Sequence, residues 1–239
     1  MTAHRFSFYA PALSATDASV DLVDDEHHHL TRVLRMTPGE VILVTNGRGL
    51  IVSAVVDSIR AQATTARVAR IEGNDPSPPR LELALGLLPR THVDTALAQC
   101  VEAGITAFVP VLARRGHVRA PGAGGATRLA RVAVAAMKQS GRAWLPAIEA
   151  PVDVDALAAR CSGFARVVLA DADAPERVAA GAAPVDTLAI VGPEAGFTAE
   201  EISLLTGAGA RPASLSAHRL RAETAAIVLI SMLALCRRV

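Results

Sequence analysis

Four short, almost wholly apolar runs decide what this chain can fold into: "LELALGLL" at 81–88, "ITAFVPVL" at 105–112, "ARVVLA" at 165–170 and "TLAIVG" at 187–192. A strand with one wet face alternates apolar and polar residues, so a strand apolar throughout must be buried on both faces. Helical patterns separate these runs: "VDTALAQCVEAG" at 93–104, "TRLARVAVAAMKQSG" at 127–141 and "TAEEISLLTGAG" at 198–209. Gly104 and Gly141 stop the first two, as glycine does at a helix C-terminus. Buried strands alternating with helices predict an α/β fold, a parallel sheet with helices on both faces. Such sheets bind ligands at the carboxyl ends of their strands. "DADAP" at 171–175, "VGPEAGF" at 191–197 and "SAHRLRAET" at 216–224 all fall there, which predicts one pocket walled by three loops.

The first 72 residues have a different rhythm. "RFSFYA" reads as a strand, and "EVILVTNGRGLIVSAVV" as two strands around an Asn46-Gly47 turn, a strong hairpin signal. "TTARVARI" alternates as a further strand. "DDEHHHLTRVLR" reads as a helix opened by Asp24 and Asp25, with Leu30, Val33 and Leu34 on one face and Arg32 and Arg35 together on another. The expectation is a small β-barrel carrying one helix. "EGNDPSPPR" at 72–80 supports neither helix nor strand, and divides the chain into a domain at 1–72 and a second at 73–239.

With 51% hydrophobic residues among 239, the chain can bury a substantial core. No run reaches the roughly 18–20 apolar residues of a membrane span; "AAIVLISMLALC" at 225–236 reads as a buried helix. "MTAHRFSFYAP" lacks the apolar core of a signal peptide. Cys100, Cys161 and Cys236 are odd in number and fit neither a disulfide framework nor a metal spacing. They read as buried thiols in a reducing, cytoplasmic compartment. The histidines of "EHHHL" point to different faces of a helix, so no metal site is predicted.

The formal net charge is +1, but its distribution is uneven. Between Glu102 and Glu149 there is no acidic residue, while Arg114, Arg115, Arg119, Arg128, Arg131, Lys138 and Arg142 all fall there. Such a window creates the local positive field of a polyanion reader, unless acidic partners elsewhere in the fold offset it.

In "VGPEAGF", Gly192 and Gly196 let a ligand approach the backbone and Pro193 fixes the turn between them. Thr198 and Glu201 form a capping box for the next helix. The loop is neither G-x-G-x-x-G nor a P-loop, so it is expected to wrap its ligand with backbone groups. In "LRAETA", Arg221 and Glu223 stand at the mouth of an apolar helix that Thr224 is expected to cap; they either pair with each other or face a cavity. Lys138, Gln139, Ser140 and Arg142 crowd a helix end, where cations suit the dipole and can also hold phosphates. Trp144 beyond them packs in a core or stacks on a base.

"EHHHLTRVLRMTPGE", "AAMKQSGR", "VGPEAGF" and "LRAETA", in this order, resemble the small-subunit ribosomal RNA uridine-N3 methyltransferases (the RsmE family) of the SPOUT superfamily, over nearly the whole chain. The resemblance implies a PUA-like N-terminal barrel, a trefoil-knotted parallel sheet, a homodimer, and S-adenosylmethionine bound by the knot loops. Leu169, Gly192, Pro193, Glu194, Gly196, Leu215, Ser216, Leu220, Arg221 and Thr224 would hold that cofactor. Arg32, Arg35, Lys138, Gln139, Ser140 and Arg142 would bind 16S ribosomal RNA. Arg221 would stabilise charge developing on the base, and Glu194 or Glu223 would act as base or hold Arg221. The chain departs from the family pattern at Ala195, Ser216, His218 and Arg219, and in "LLPRTHVD" at 87–94. Two further readings share these motifs: a knotted methyltransferase acting on a ribose 2′-OH or on transfer RNA, and a catalytically silent RNA-binding protein.

Overall fold

A computed structural model describes residues 6–118, 122–178 and 184–235. The chain divides into two compact units. The first is formed by residues up to Ser77 together with Met137–Leu145, the second by Pro78–Ala136 and Pro146 onward.

In the first unit, β1 (Ser7–Tyr9), β2 (Ser19–Val23), β3 (Val41–Thr45), β4 (Leu50–Ile59) and β5 (Ala63–Asn74) form a five-stranded sheet in the order β1-β3-β4-β5-β2. β3, β4 and β5 run antiparallel to one another in turn, and β1 lies parallel to β3. Three register shifts interrupt the β4–β5 ladder; such irregularities increase the local twist and let a sheet curl around its own side chains. Phe8, Leu22, Leu30, Ile42, Val44, Val52 and Ala66 fill its interior.

The hairpin predicted around Asn46-Gly47 forms, with β3 and β4 antiparallel, while the predicted helix changes. The β3–β4 loop is four residues long, 46–49, with positive φ at both Gly47 and Gly49. Asn46 Oδ1 organises it, accepting from Arg48 N at 2.8 Å and Leu50 N at 3.2 Å. A Cβ on Gly49 would lie 2.3 Å from the Asp75 carbonyl and 2.9 Å from the Trp144 ring. Trp144 therefore packs on this glycine, and its segment joins the first unit through it. The predicted helix at 24–35 is shorter: α1 (Asp24–His28) passes into a π-type turn at His29–Val33. Arg35 lies beyond it at φ +53, so Arg32 and Arg35, both exposed, do not share a helix face. The histidines diverge as expected of neighbours: His27 Nδ1 meets Thr64 Oγ1 at 2.9 Å, while His29 meets the Phe8 ring edge-on.

The second unit is built on the apolar runs. β6 (Leu81–Gly86), β7 (Ala107–Leu112), β10 (Arg166–Ala170), β11 (Thr187–Val191) and β12 (Arg211–Ala213) pair in parallel in the order β12-β10-β11-β6-β7, and short β8 (Ala147–Ile148) and β9 (Val152–Asp153) pair with β7. Every residue of β6 and β11 is buried. α4 (Val154–Cys161) and α5 (Ala199–Gly207) cover Leu188 and Ile190 on one face. α2 (Arg90–Ala103) packs on α6 (Ala222–Ala234), which lies against β6 and β11. α3 (Ala123–Ser140) runs from this unit into the first, where Gly141, at φ +70, stops it.

Helix α4 has no counterpart among the helical patterns read from the sequence. Its N-cap is plain in the structure: Asp153 Oδ1 accepts from Ala156 N at 2.8 Å. It also explains a carboxylate inside the first apolar run. Glu82 is buried, and Arg160 of α4 donates to its Oε2 from Nε at 2.8 Å and from Nη2 at 2.5 Å, the charge-assisted pairing a buried acid requires. Cys100 and Cys161 are buried and free, and burial pushes the Cys100 thiol up to about 12. Cys236 lies outside the described residues. No helix among the described residues is long and apolar enough to cross a membrane.

Candidate active site

The loops that follow β10, β11 and β12 converge on one cavity of about 940 Å³ in the second unit. This is in the range of small-molecule sites. Leu169, Asp171 and Asp173 come from the first loop, residues 192–197 from the second, and Leu215, Ser216, Leu220 and Arg221 from the third. Three loops meet because parallel strands point all their carboxyl ends the same way.

The central loop is held from both sides. Pro193 O accepts from Gly196 N at 2.8 Å, closing the turn. Gly196 has φ +70, and a Cβ placed there would meet nothing within 4 Å. The glycine is thus required by backbone conformation rather than by lack of room. Ala195 tolerates its side chain because the described non-glycine residues at positive φ are Asp24 and Arg35 alone. Gly86, at the end of β6, is the tighter position: a Cβ there would lie 2.2 Å from Pro193 N and 2.4 Å from Pro193 Cδ. The loop's exit is fixed by the capping box. Thr198 N donates to Glu201 Oε2 at 2.8 Å, and Glu201 N to Thr198 Oγ1 at 3.2 Å. Glu201 is almost fully buried, and its second oxygen accepts from Arg114 N at 2.8 Å, which ties in the loop after β7.

Of the ten residues expected to hold a cofactor, nine line this cavity. Thr224 does not; it is exposed, as the third residue of α6. Nor does it cap that helix, whose N-cap is Arg221 with no side-chain hydrogen bond. Ser216, where the family pattern has glycine, uses its hydroxyl locally: Oγ accepts from His218 N at 3.2 Å. Arg221 is exposed and makes no ion pair with Glu223. Glu223 is directed instead at His92, in the first turn of α2. His92 Nδ1 stands 3.3 Å from Glu194 Oε1 and 4.0 Å from Glu223 Oε2. Sequence reasoning passes over His92 as part of "LLPRTHVD", because nothing local shows that α2 starts beside the β11 loop. Arg115 counts there only as part of the basic window, yet it also lines the cavity.

Lys138, Gln139, Ser140 and Arg142 fall in the first unit, with Arg32 and Arg35. Gln139 and Ser140 are exposed. Lys138 Nζ pairs with Glu26 Oε1 at 2.5 Å, and burial draws the Arg142 guanidinium down to about 10. Within the second unit Arg128 pairs with Asp94. The acid-free window therefore finds some of its acids from outside, while Arg131 stays exposed beside a second cavity of about 660 Å³ between α2 and α3. Arg119 lies outside the described residues.

Fold and cavity together define an α/β protein with a small-molecule cavity at the carboxyl ends of its parallel strands. A family described as "RNA methyltransferase domain" matches residues 75–234, and "RNA methyltransferase PUA domain" matches residues 22–68. The ribosomal RNA small subunit methyltransferase E of Mycobacterium bovis is 30% identical over 232 residues, covering 93% of this chain and 88% of its own. That of Synechocystis is 29% identical over 223 residues, covering 91% and 73%. The structure of the Neisseria gonorrhoeae enzyme of this name, bound to S-adenosylmethionine, superposes with a TM-score of 0.86 at 26% identity, covering 95% of each chain. A methyltransferase of Legionella pneumophila with bound S-adenosylmethionine gives 0.88 at 25%, covering 97% of each. The chain belongs to the ribosomal RNA small subunit methyltransferase E family.

Gly196→Val forces a β-branched residue to positive φ, at a cost of about 1–3 kcal/mol. It is expected to leave a folded protein with much weaker S-adenosylmethionine binding, whereas Ala195→Gly is expected to be nearly silent. Titration calorimetry of both variants checks this; wild-type affinity in a folded Gly196→Val chain would make the loop an ordinary turn.

Proposed function

We propose that this protein transfers the methyl group of S-adenosylmethionine to N3 of a uridine in the 16S RNA of the small ribosomal subunit. The observation that carries this is the convergence of three strand-end loops, including "GPEAGF" and the approach to "RAETA", on one cavity. The walls suit such a cofactor: Leu169, Leu215 and Leu220 offer apolar contact, and the Gly192–Gly196 backbone offers polar groups at close range. The cofactor brings a methyl group already activated by its sulfonium, so the protein's own task is alignment, exclusion of water and management of charge on the base. Arg221 lines the cavity and is exposed there; in this reading it stabilises negative charge developing on the uracil ring. Glu194 lines the same cavity, and Glu223 stands behind it, directed at His92. N3 lies on the Watson–Crick edge, so the base is taken unpaired or out of its stack.

In this reading residues 1–72 form the RNA-gripping domain and 73–239 the methyltransferase. Arg32 and Arg35 grip phosphates from exposed positions, exposed Gln139 and Ser140 add polar contacts to the RNA, and Lys138 and Arg142 reach it from half-buried positions in which Lys138 already holds Glu26. The trefoil crossing belongs to the same proposal. It is supported by α6, which returns against β6 and β11 after β12 has been laid on the far side of β10. The protein works in the cytoplasm as a homodimer. The apolar length of α6 supports the dimer, and light scattering at micromolar concentration is expected to give twice the chain mass; a stable monomer would refute it.

Two measurements test the reading. Incubation of small subunits lacking the modification with protein and S-adenosylmethionine is expected to yield 3-methyluridine by nucleoside mass spectrometry; a 2′-O-methyl product or none would overturn it. Changing Arg32 and Arg35 to Ala is expected to weaken RNA binding and to lower the salt slope by roughly one for each phosphate the protein no longer neutralises, with cofactor affinity intact. An unchanged slope would remove these residues from the interface.

A further inference from the structure

His92 is the one imidazole in the cavity wall contributed by α2, and the proposed reaction leaves a task for it. Uridine N3 carries a proton that must leave before or as the methyl arrives. Imidazole is the side chain best matched to accept a proton near neutrality. Position alone would not single it out, since His218 also lines the cavity. The difference lies in what surrounds the ring. His92 Nδ1 is buried and turned toward two carboxylates from different elements, Glu194 of the β11 loop at 3.3 Å and Glu223 of α6 at 4.0 Å. Glu223 Oε2 is itself buried, and neither it nor His92 Nδ1 makes a hydrogen bond in this geometry. A carboxylate facing Nδ1 holds the proton on that nitrogen and leaves the ring's other nitrogen, Nε2, as acceptor. Contacts of this kind are often long in the unliganded protein and tighten when substrate is bound.

We propose that His92 is the general base of the methyl transfer, and that Glu194 and Glu223 are the positioning residues that fix its tautomer and balance its charge. The proposal rests on the uridine-N3 reading and assigns its proton. In the step, the N3–H bond breaks and its proton passes to His92 Nε2. The electron pair left on N3 forms the new N–CH3 bond, and the S–CH3 bond breaks with its pair retained by sulfur. The sulfonium charge is thus replaced by an imidazolium facing Glu194 and Glu223, while Arg221 stabilises the uracil anion on its way to product. Arg115, Asp171, Asp173 and Arg219 complete the charged groups around the cavity, and Arg90 and Asp94 flank His92 on its own helix.

The test is His92→Gln, which can still donate to Glu194 but accepts no proton, assayed on 16S RNA transcribed with uridine or with 5-fluorouridine. Fluorine makes the N3 proton more acidic, so a substrate that ionises without help bypasses the missing base. The expected result is a fall in kcat of about 100-fold on uridine RNA and of less than about 10-fold on fluorouridine RNA, with KM little changed. Nitrogen-15 spectra of the free protein are expected to show His92 protonated at Nδ1, and Glu223→Gln to disturb that tautomer. An equal loss on both RNAs, an unimpaired His92→Gln enzyme, or an Nε2-protonated His92 would overturn the proposal. Failure of the wild-type protein to make 3-methyluridine would instead overturn the reading beneath it.

Discussion

At the end of β6 the chain carries no side chain, and the loop after β11 fills that space. Pro193 N would lie 2.2 Å from a Cβ on Gly86, a distance at which backbone must move. β6 and β11 are adjacent parallel strands, paired from Thr187↔Leu81 to Val191↔Leu85. Their ends are therefore fixed together, and Gly86 lets the Gly192-Pro193 peptide fold down against its neighbour rather than arch over it. The position of the whole central wall follows from this contact: the turn closed by Pro193 O and Gly196 N, the ring of Phe197 packed 3.2 Å from where a Gly192 Cβ would stand, and the capping box at Thr198. Glu201 then links that box to the loop after β7. A cavity walled by loops acquires its rigidity in this way from the sheet beneath it.

Charge is handled by similarly specific contacts. A nearly neutral chain holds several carboxylates in low-exposure positions, each met by a particular donor: Glu82 by Arg160, Glu26 by Lys138, Glu201 by backbone amides. Such pairs offset the cost of burial rather than add much stability. What they leave over is informative. Arg221 is exposed at the cavity, and His92 faces two acids with which it makes no well-aligned hydrogen bond. Groups left uncompensated beside a cavity are where binding and proton transfer are to be sought.

Much of this was legible in the residues. Apolar runs without alternation gave parallel strands, because a two-faced burial leaves a one-dimensional trace. Gly104 and Gly141 marked helix ends, and the Thr198–Glu201 spacing marked a capping box, because these signals are local. The meeting of the loops after β10, β11 and β12 on one cavity followed from their positions at strand ends; the individual cofactor residues came from the family resemblance. What was not legible depended on contacts distant in sequence or on irregular local backbone. Gly86 looks like any strand-terminal glycine until Pro193 is set against it. The partners of Lys138 and Arg128 are not visible locally, because Glu26 and Asp94 lie outside the acid-free window. The π-type turn at His29–Val33 and the left-handed Arg35 broke the helix face on which Arg32 and Arg35 were placed. Thr224 matched a motif by position, but α6 begins at Ala222 and turns it outward.

The Gly86–Pro193 contact shapes the cofactor cavity. Titration calorimetry of S-adenosylmethionine into the wild-type protein and into Gly86→Ala, with circular dichroism to verify folding, tests this most directly. One site per chain is expected in the wild type, with a folded Gly86→Ala protein that binds at least about tenfold more weakly, or roughly 1.4 kcal/mol. No binding by the wild-type protein, or equal affinity in the two, would contradict it.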